Sequence, residues 1–380
     1  MTIYLDCNAT TPIDPEVMEV VRHYMEVDFG NAGSRTHEFG LRAKQAVERA
    51  REQVAAVVDA KPDEVIFTSG ATESNNLAIL GLEEEGRRSG RMHIVSTQIE
   101  HKAVLEPLSE MQKRGFEITL VAPGSNGVVA PESILSSVRS DTLLVSVMHV
   151  NNETGVLQPL ASIAGALGHH PAYLHTDAAQ GYGKVQGLED PRIDLISCSA
   201  HKVFGPKGVG ALIARRRRWE SVPLRPLVYG GGQERGLRAG TLPTPLIAGM
   251  GVACSLATSR RAERDRASLD NRLALMAILP RGCVINGAEH ASVPWVMSVQ
   301  VPACDSEAVM LALKGIADIS NGSACTSARY EPSHVLQAMG LTHQQCSQSI
   351  RLSWCHHFLA PASIGAIGQA LAAMMPSSTV

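Results

Sequence analysis

Short, mostly apolar runs recur through the first half of the chain, at 65–68, 94–96, 118–121, 143–147, 173–176, 195–198 and 209–213. They do not alternate apolar with polar residues, which is the pattern of strands buried on both faces. Stretches with helical spacing lie between most of them, including 72–85, 102–114 and 160–167. This alternation predicts an α/β fold with a mainly parallel sheet held between helices. The runs at 195–198 and 209–213 have no long helix between them, so one of that pair is expected to be antiparallel. After Thr241-Leu242-Pro243 a single long helical pattern is expected to reach about 279. The style then changes, with shorter strands at 283–286, 296–301 and 349–354 and helices at 306–313, 333–339 and 361–374. The expected division is a large domain over 16–254 and a smaller α+β domain made of 1–15 and 255–380, without repeats or low-complexity linkers.

Composition narrows the function classes. The 380 residues are 44% apolar, and 34 basic residues nearly balance 37 acidic ones for a net charge of -3. That balance gives no general reason to expect nucleic-acid or membrane binding. Aromatics make up only 4%, so a stacking platform for single strands would be small. Residues 1–12 lack a basic n-region and place Asp6 where an apolar core would sit, so no signal peptide is expected. The uncharged stretch 358–380 is broken by Pro361, Gly365 and Gly368. Its helix is too short to span a bilayer and is expected to pack on the small domain.

Eight cysteines, at 7, 198, 254, 283, 304, 325, 346 and 355, are widely spaced and form no CxxC pair. Neither a zinc ribbon nor a disulfide framework is suggested, and a reduced, cytoplasmic location fits. Cys355-His356-His357 lacks a residue to complete a tetrahedral metal site, so no metal is expected. Arg215-Arg216-Arg217-Arg218 follows a strand and reads as a solvated strand end, with docking to an acidic partner or DNA as the alternative.

Four segments could carry chemistry. Thr68-Ser69-Gly70-Ala71-Thr72 takes a strand through a small-residue turn into a helix, whose free N–H groups suit a phosphate. Ser69 or Thr72 could equally be a plain N-cap. The segment is no P-loop, since GxxxxGK[ST] is absent. Thr176-Asp177-Ala178-Ala179-Gln180 ends an apolar strand, at the edge where open α/β sheets bind ligands. An Asp there could hold a proton on an aromatic cofactor nitrogen, or cap a helix. Ser199-Ala200-His201-Lys202 ends the next strand and offers a candidate Schiff-base amine. Phosphate turn, acid and lysine, in that order, are the parts needed to hold pyridoxal phosphate. Finally, Ser323-Ala324-Cys325-Thr326-Ser327 sets a cysteine among small loop residues, which leaves a thiol accessible.

Together these segments resemble the cysteine desulfurases, fold-type-I pyridoxal-phosphate enzymes of the aminotransferase class V group. Nine motifs fall in order along nearly the whole chain. They begin at Tyr4-Leu5-Asp6-Cys7-Asn8-Ala9-Thr10-Thr11-Pro12 and continue through the phosphate turn, Glu100-His101-Lys102 and Val150-Asn151-Asn152-Glu153. The lysine motif, Gly230-Gly231-Gly232-Gln233-Glu234-Arg235-Gly236, Arg238-Ala239-Gly240-Thr241, the Cys325 loop and Ser349-Ile350-Arg351 complete the set. Cys7 stands where many relatives have Tyr, and Ala32-Gly33 where Pro-Ser is usual.

The resemblance implies a role for each matching residue. Lys202 would be the Schiff-base lysine and Asp177 the partner of the ring nitrogen. His101 would stack on the ring and assist proton transfer, and Asn152 and Gln180 would meet ring substituents. Ala71, Thr72, Ser199 and His201 would hold the phosphate, joined by Thr241 from the other subunit of a homodimer. Arg351 would grip the carboxylate of L-cysteine, and Cys325 would take the sulfur as a persulfide and leave alanine. The loop resembles the longer-loop branch, which hands sulfur to an acceptor protein. The tail is shorter than in housekeeping iron–sulfur desulfurases, and the chain also resembles the desulfurase of bacterial DNA phosphorothioation systems. Rival readings are a selenocysteine lyase, a class V aminotransferase or a non-catalytic binding module. The docking alternative for Arg215–Arg218 predicts that neutralising the run weakens sulfur transfer but spares alanine formation.

Overall fold

A computed structural model describes residues 2–322 and 332–375. Numbered along the chain, the strands are β1 (Ile3–Tyr4), β2 (Val65–Thr68), β3 (His93–Thr97), β4 (Glu117–Val121), β5 (Thr142–Ser146) and β6 (Tyr173–Asp177). They continue as β7 (Leu195–Ser199), β8 (Gly210–Ala214), β9 (Val284–Asn286), β10 (Val296–Gln300), β11 (Ala317–Asp318) and β12 (Ser349–Ser353). Seven form one sheet in the order β2-β8-β7-β6-β5-β3-β4. All neighbours are parallel except β8, which runs against both β2 and β7. The expected antiparallel member of the last pair is therefore β8. Its reversal needs no crossover helix, only the turn after Lys202. Gly210 allows the close approach, because a Cβ there would lie 2.6 Å from the Cα of Gly70 on the phosphate turn.

β3, β5 and β7 are buried along their whole length. Their side chains pack on both faces, under helices such as Ala71–Leu80, Lys102–Lys113, Leu160–Leu167 and Thr244–Ser259. A second core, centred on Trp354, Met297 and Val299, lies on the antiparallel sheet β12-β10-β9. The helix Pro361–Met374 joins it through Ile364, Ile367 and Leu371, as expected of a packed amphipathic element. Among the described residues no helix is long and apolar enough to cross a membrane.

Three expectations are corrected. The helix read over 72–85 is two helices, Ala71–Leu80 and Glu83–Ser89, parted at Gly81, whose carbonyl accepts from Arg225 N at 2.8 Å. The long helix read to 279 is Thr244–Ser259 followed by Arg261–Ala277, and Arg260, at φ -105° and ψ 12°, turns the chain between them. The arginine run is a solvated strand end only in part: Arg216 and Arg218 are exposed, whereas Arg215 and Arg217 are drawn into the structure. Arg215 is 6% exposed and donates to the carbonyls of Leu188, Asp190, Ile193 and Val58. Arg217 Nε pairs with Asp194 Oδ1 at 2.6 Å, and Arg216 Nη2 with Asp63 Oδ2 at 2.5 Å.

Candidate active site

The C-terminal ends of β6 and β7 and the start of the Ala71–Leu80 helix open onto one cavity of about 560 Å³. Its wall brings together Ala71, Thr72, His101, Asn152, Asp177, Gln180, Ser199, His201, Lys202 and Arg351, all singled out from the sequence. This is the ligand edge of the parallel part of the sheet.

One end of the cavity suits an anion. The residue before the helix is Gly70, which has no side chain to cap it, so neither Ser69 nor Thr72 is the N-cap weighed above. The first-turn N–H groups form the positive end of the helix dipole at the cavity wall. Glu73 accepts from Ser69 N at 2.7 Å and from Arg238 Nε at 3.0 Å, and its carboxyl is held low despite partial burial. Ser199, His201 and Lys207 complete this end. Burial, with Lys202, Lys207 and Lys184 nearby, pushes His201 down to about 4, so it is neutral at pH 7.

The other end holds an acid. Asp177 closes β6; its Oδ2 accepts from Asn75 Nδ2 at 2.7 Å and its Oδ1 from Ala179 N at 2.9 Å. Asn75 is fully buried. Between the ends, Lys202 Nζ donates to the carbonyls of Asn8 at 2.5 Å and Ala9 at 2.8 Å. His101 begins the helix Lys102–Lys113, its Nδ1 accepting from Ala103 N at 3.1 Å. Arg351 enters from β12, with Nη2 on Asp6 Oδ1 at 2.6 Å and Nη1 on Asn152 O at 3.1 Å.

The lining fits pyridoxal phosphate in a second way. Gln180 Oε1 and Arg351 Nε are buried polar atoms with no hydrogen-bond partner among the described residues, and both residues face the cavity. Unmet groups of this kind are expected where a ligand completes the network. Gln180 is otherwise anchored by donating from Nε2 to Asn8 O at 2.9 Å.

Two sequence-predicted residues do not appear in this wall. Cys325 lies outside the described residues; the described chain reaches the cavity at Gly322, three positions earlier. Thr241 is exposed and does not line the cavity. Sequence reasoning missed Asp6, Asn8 and Asn75. A polar residue such as Asn75, set among the apolar positions of a helix, is the one signal that could have found them. Among the described residues no cluster of His, Cys, Asp and Glu is arranged to hold a metal ion.

The profile of the Aminotransferase class-V family matches residues 3–359. The chain belongs to that family. Among class-V relatives, the chain is 45% identical to the cysteine desulfurase IscS of Methylococcus capsulatus, over 93% of this chain and 87% of that one. The crystal structure of DndA from Streptomyces lividans is 50% identical, covers 93% of this chain and 99% of its own, and superposes with a TM-score of 0.82. A structure of SspA in complex with cysteine is 34% identical, covers 94% and 100%, and also has a TM-score of 0.82.

Proposed function

We propose that Lys202 holds pyridoxal phosphate in this cavity, and that Cys325 receives the sulfur of L-cysteine as a persulfide while L-alanine is released. The chain is a pyridoxal-phosphate-dependent cysteine desulfurase. The observation that supports the residue roles is the meeting, in one cavity, of the Lys202 amine, the Asn75-bound Asp177 and the Arg351 guanidinium. Its class-V relatives carry the same activity in their names.

When bound, the cofactor supplies an electron sink for the bonds at the substrate α-carbon. The protein does the rest. Ala71, Thr72, Ser199 and His201 bind the phosphate, with Thr241 contributed across a homodimer. Asp177 keeps a proton on the ring nitrogen, and Asn75 fixes the direction of its carboxylate. His101 covers the ring and relays a proton, and Gln180 and Asn152 orient it. Lys202 moves the proton at the α-carbon. Arg351 exchanges part of its pairing with Asp6 for the substrate carboxylate, which its planar fork can meet with two hydrogen bonds. The Cys325 thiolate attacks the substrate sulfur; the S–S bond forms as the C–S bond breaks. A cytoplasmic acceptor protein then takes the sulfur. The resemblance to phosphorothioation desulfurases and the 50% identity with DndA favour a DNA-modification partner over an iron–sulfur scaffold.

The test is the visible spectrum of purified holoenzyme before and after L-cysteine, with alanine and sulfide assayed in the same sample. An absorbance band near ~400 nm that shifts as alanine appears is the expected result for a bound aldehyde cofactor. Cys325→Ser should abolish sulfur release. Undiminished release from that variant would favour a selenocysteine lyase instead, and an aminotransferase would release no sulfur from either protein.

A further inference from the structure

A pair of thiols lies behind the cofactor cavity. Cys7 follows β1 and Cys355 follows β12, and the two segments are laced together. Cys7 N donates to Ser353 O at 3.0 Å, Ser353 N to Leu5 O at 2.8 Å, and Asn8 N to Ser353 Oγ at 3.0 Å. This lacing sets the side chains of Cys7 and Cys355 together on the wall of one small cavity. His357 Nδ1 lies 3.3 Å from Cys355 Sγ on its other side. Neither cysteine lines the cofactor cavity, but Asn8, next to Cys7, lines both that cavity and the smaller one at the thiols.

The smaller cavity, of about 30 Å³, is walled by Cys7, Cys355, Lys184, Arg264 and His356. That is room for one or two water-sized groups. Arg264 is 9% exposed; its Nη2 pairs with Asp14 Oδ2 at 2.9 Å, while Nε and Nη1 have no partner among the described residues. His356 Nδ1 is also buried without one. Buried polar atoms of this kind are costly unless something pairs with them. The neighbouring Cys7 side chain draws the Cys355 thiol below its ordinary range, with His357 adding to the effect, while Cys355 and burial raise Cys7. Burial instead pushes Cys198, Cys254, Cys283, Cys304 and Cys346 up. Cys7 is 4% exposed and Cys355 half-buried, so one thiol is reachable and the other is sheltered behind it.

We propose that Cys355 is an oxidant-reactive thiol with Cys7 as its resolving partner, forming a modification site for small hydroperoxides distinct from the persulfide loop. The Cys355 thiolate attacks the outer peroxide oxygen. The O–O bond breaks, the alkoxide leaves with a proton as the alcohol, and Cys355 becomes a sulfenic acid. Arg264 donates to the oxygen that gains charge. Cys7 then attacks the Cys355 sulfur; the S–S bond forms, the S–O bond breaks, and water leaves with the Cys7 proton. In sum, one hydroperoxide oxidises two thiols to a disulfide and is reduced to alcohol and water.

The test uses Cys325→Ser holoenzyme, so that the persulfide-loop thiol cannot react. It is treated with a small excess of hydrogen peroxide and mapped by mass spectrometry without reduction. A Cys7–Cys355 cross-link, two hydrogens lighter and reversed by dithiothreitol, is expected. Adding Cys7→Ser should replace the cross-link by a dimedone adduct on Cys355, formed at least ~10-fold faster than on Cys283, as thiolate character dictates. No cross-link in the first protein, together with Cys355 labelling no faster than Cys283 in the second, would overturn the proposal.

Discussion

Lys202 and Arg215 are both cations just beyond the ends of neighbouring strands, β7 and β8, and both donate to backbone carbonyls. Their surroundings differ because β8 is antiparallel. The register sets Ser199 opposite Gly210 and Leu195 opposite Ala214, so the chain leaves β7 at the ligand edge and leaves β8 at the opposite edge. There Arg215 N donates to Asp194 O at 2.8 Å, and the guanidinium is closed in by four carbonyls. Lys202 donates to the carbonyls of Asn8 and Ala9 and has an open cavity beside it. A strand-end cation is therefore structural or chemical according to the direction of its strand. The ligand edge also tolerates unmet polar atoms, at Glu100, Gln180 and Arg351, which is typical of a functional site.

The comparison breaks most visibly at its two members. Lys202→Ala should lower alanine formation by at least ~10³-fold, as loss of a covalent amine does, and remove the cofactor band, while denaturant titration finds stability changed by less than ~1 kcal/mol. Arg215→Met should do the opposite. Stranding buried carbonyls should cost about 3–5 kcal/mol of stability in the same titration, and the folded fraction should keep its activity per site. A change in sulfur transfer without a loss of stability would restore the docking role once considered for that run.

A smaller effect sharpens the picture on the cavity side. Glu100 is fully buried; its Oε1 accepts from Thr97 Oγ1 and Met148 N at 2.8 Å, and its Oε2 has no partner. Burial pushes its carboxyl up to about 8, opposed only in part by those hydrogen bonds. The folded state thus keeps a proton that the unfolded chain releases near ~4.3. The stability this gives is complete below ~4.3 and is lost as pH rises through about 8. Glu100→Gln should make the fall in stability between about pH 6 and 8 shallower, by ~1–2 kcal/mol in chemical denaturation. The smallest effect belongs to Arg216, whose pair with Asp63 is partly exposed. Arg216→Gln should stay within ~0.5 kcal/mol in the same measurement.

Much of this arrangement was legible in the chain. Most of the seven apolar runs are strands buried on both faces, with no polar face to betray, the edge strand β4 being the exception, and each chemical residue from β6 and β7 sits at a strand's C-terminal end. What was hidden is what depends on distant partners. Asn75 meets Asp177 across 102 positions and Asp6 meets Arg351 across 345, and no local pattern records either. Arg215 and Arg217 were hidden among solvated neighbours because a charge run gives no hint of which way its strand points. Arg260 breaks the long helix while its side chain pairs with Glu16, 244 positions earlier, a contact invisible to periodicity.

The most direct test of the account is borohydride reduction of the holoenzyme, followed by peptide mapping of the fixed cofactor. Three lysines stand close enough to compete: Lys202 and Lys207 line the cavity, and Lys184 senses the charge of Lys202. The phosphopyridoxyl group is predicted on Lys202 alone. Its appearance on Lys184 or Lys207, with Lys202 unmodified, would contradict the central assignment.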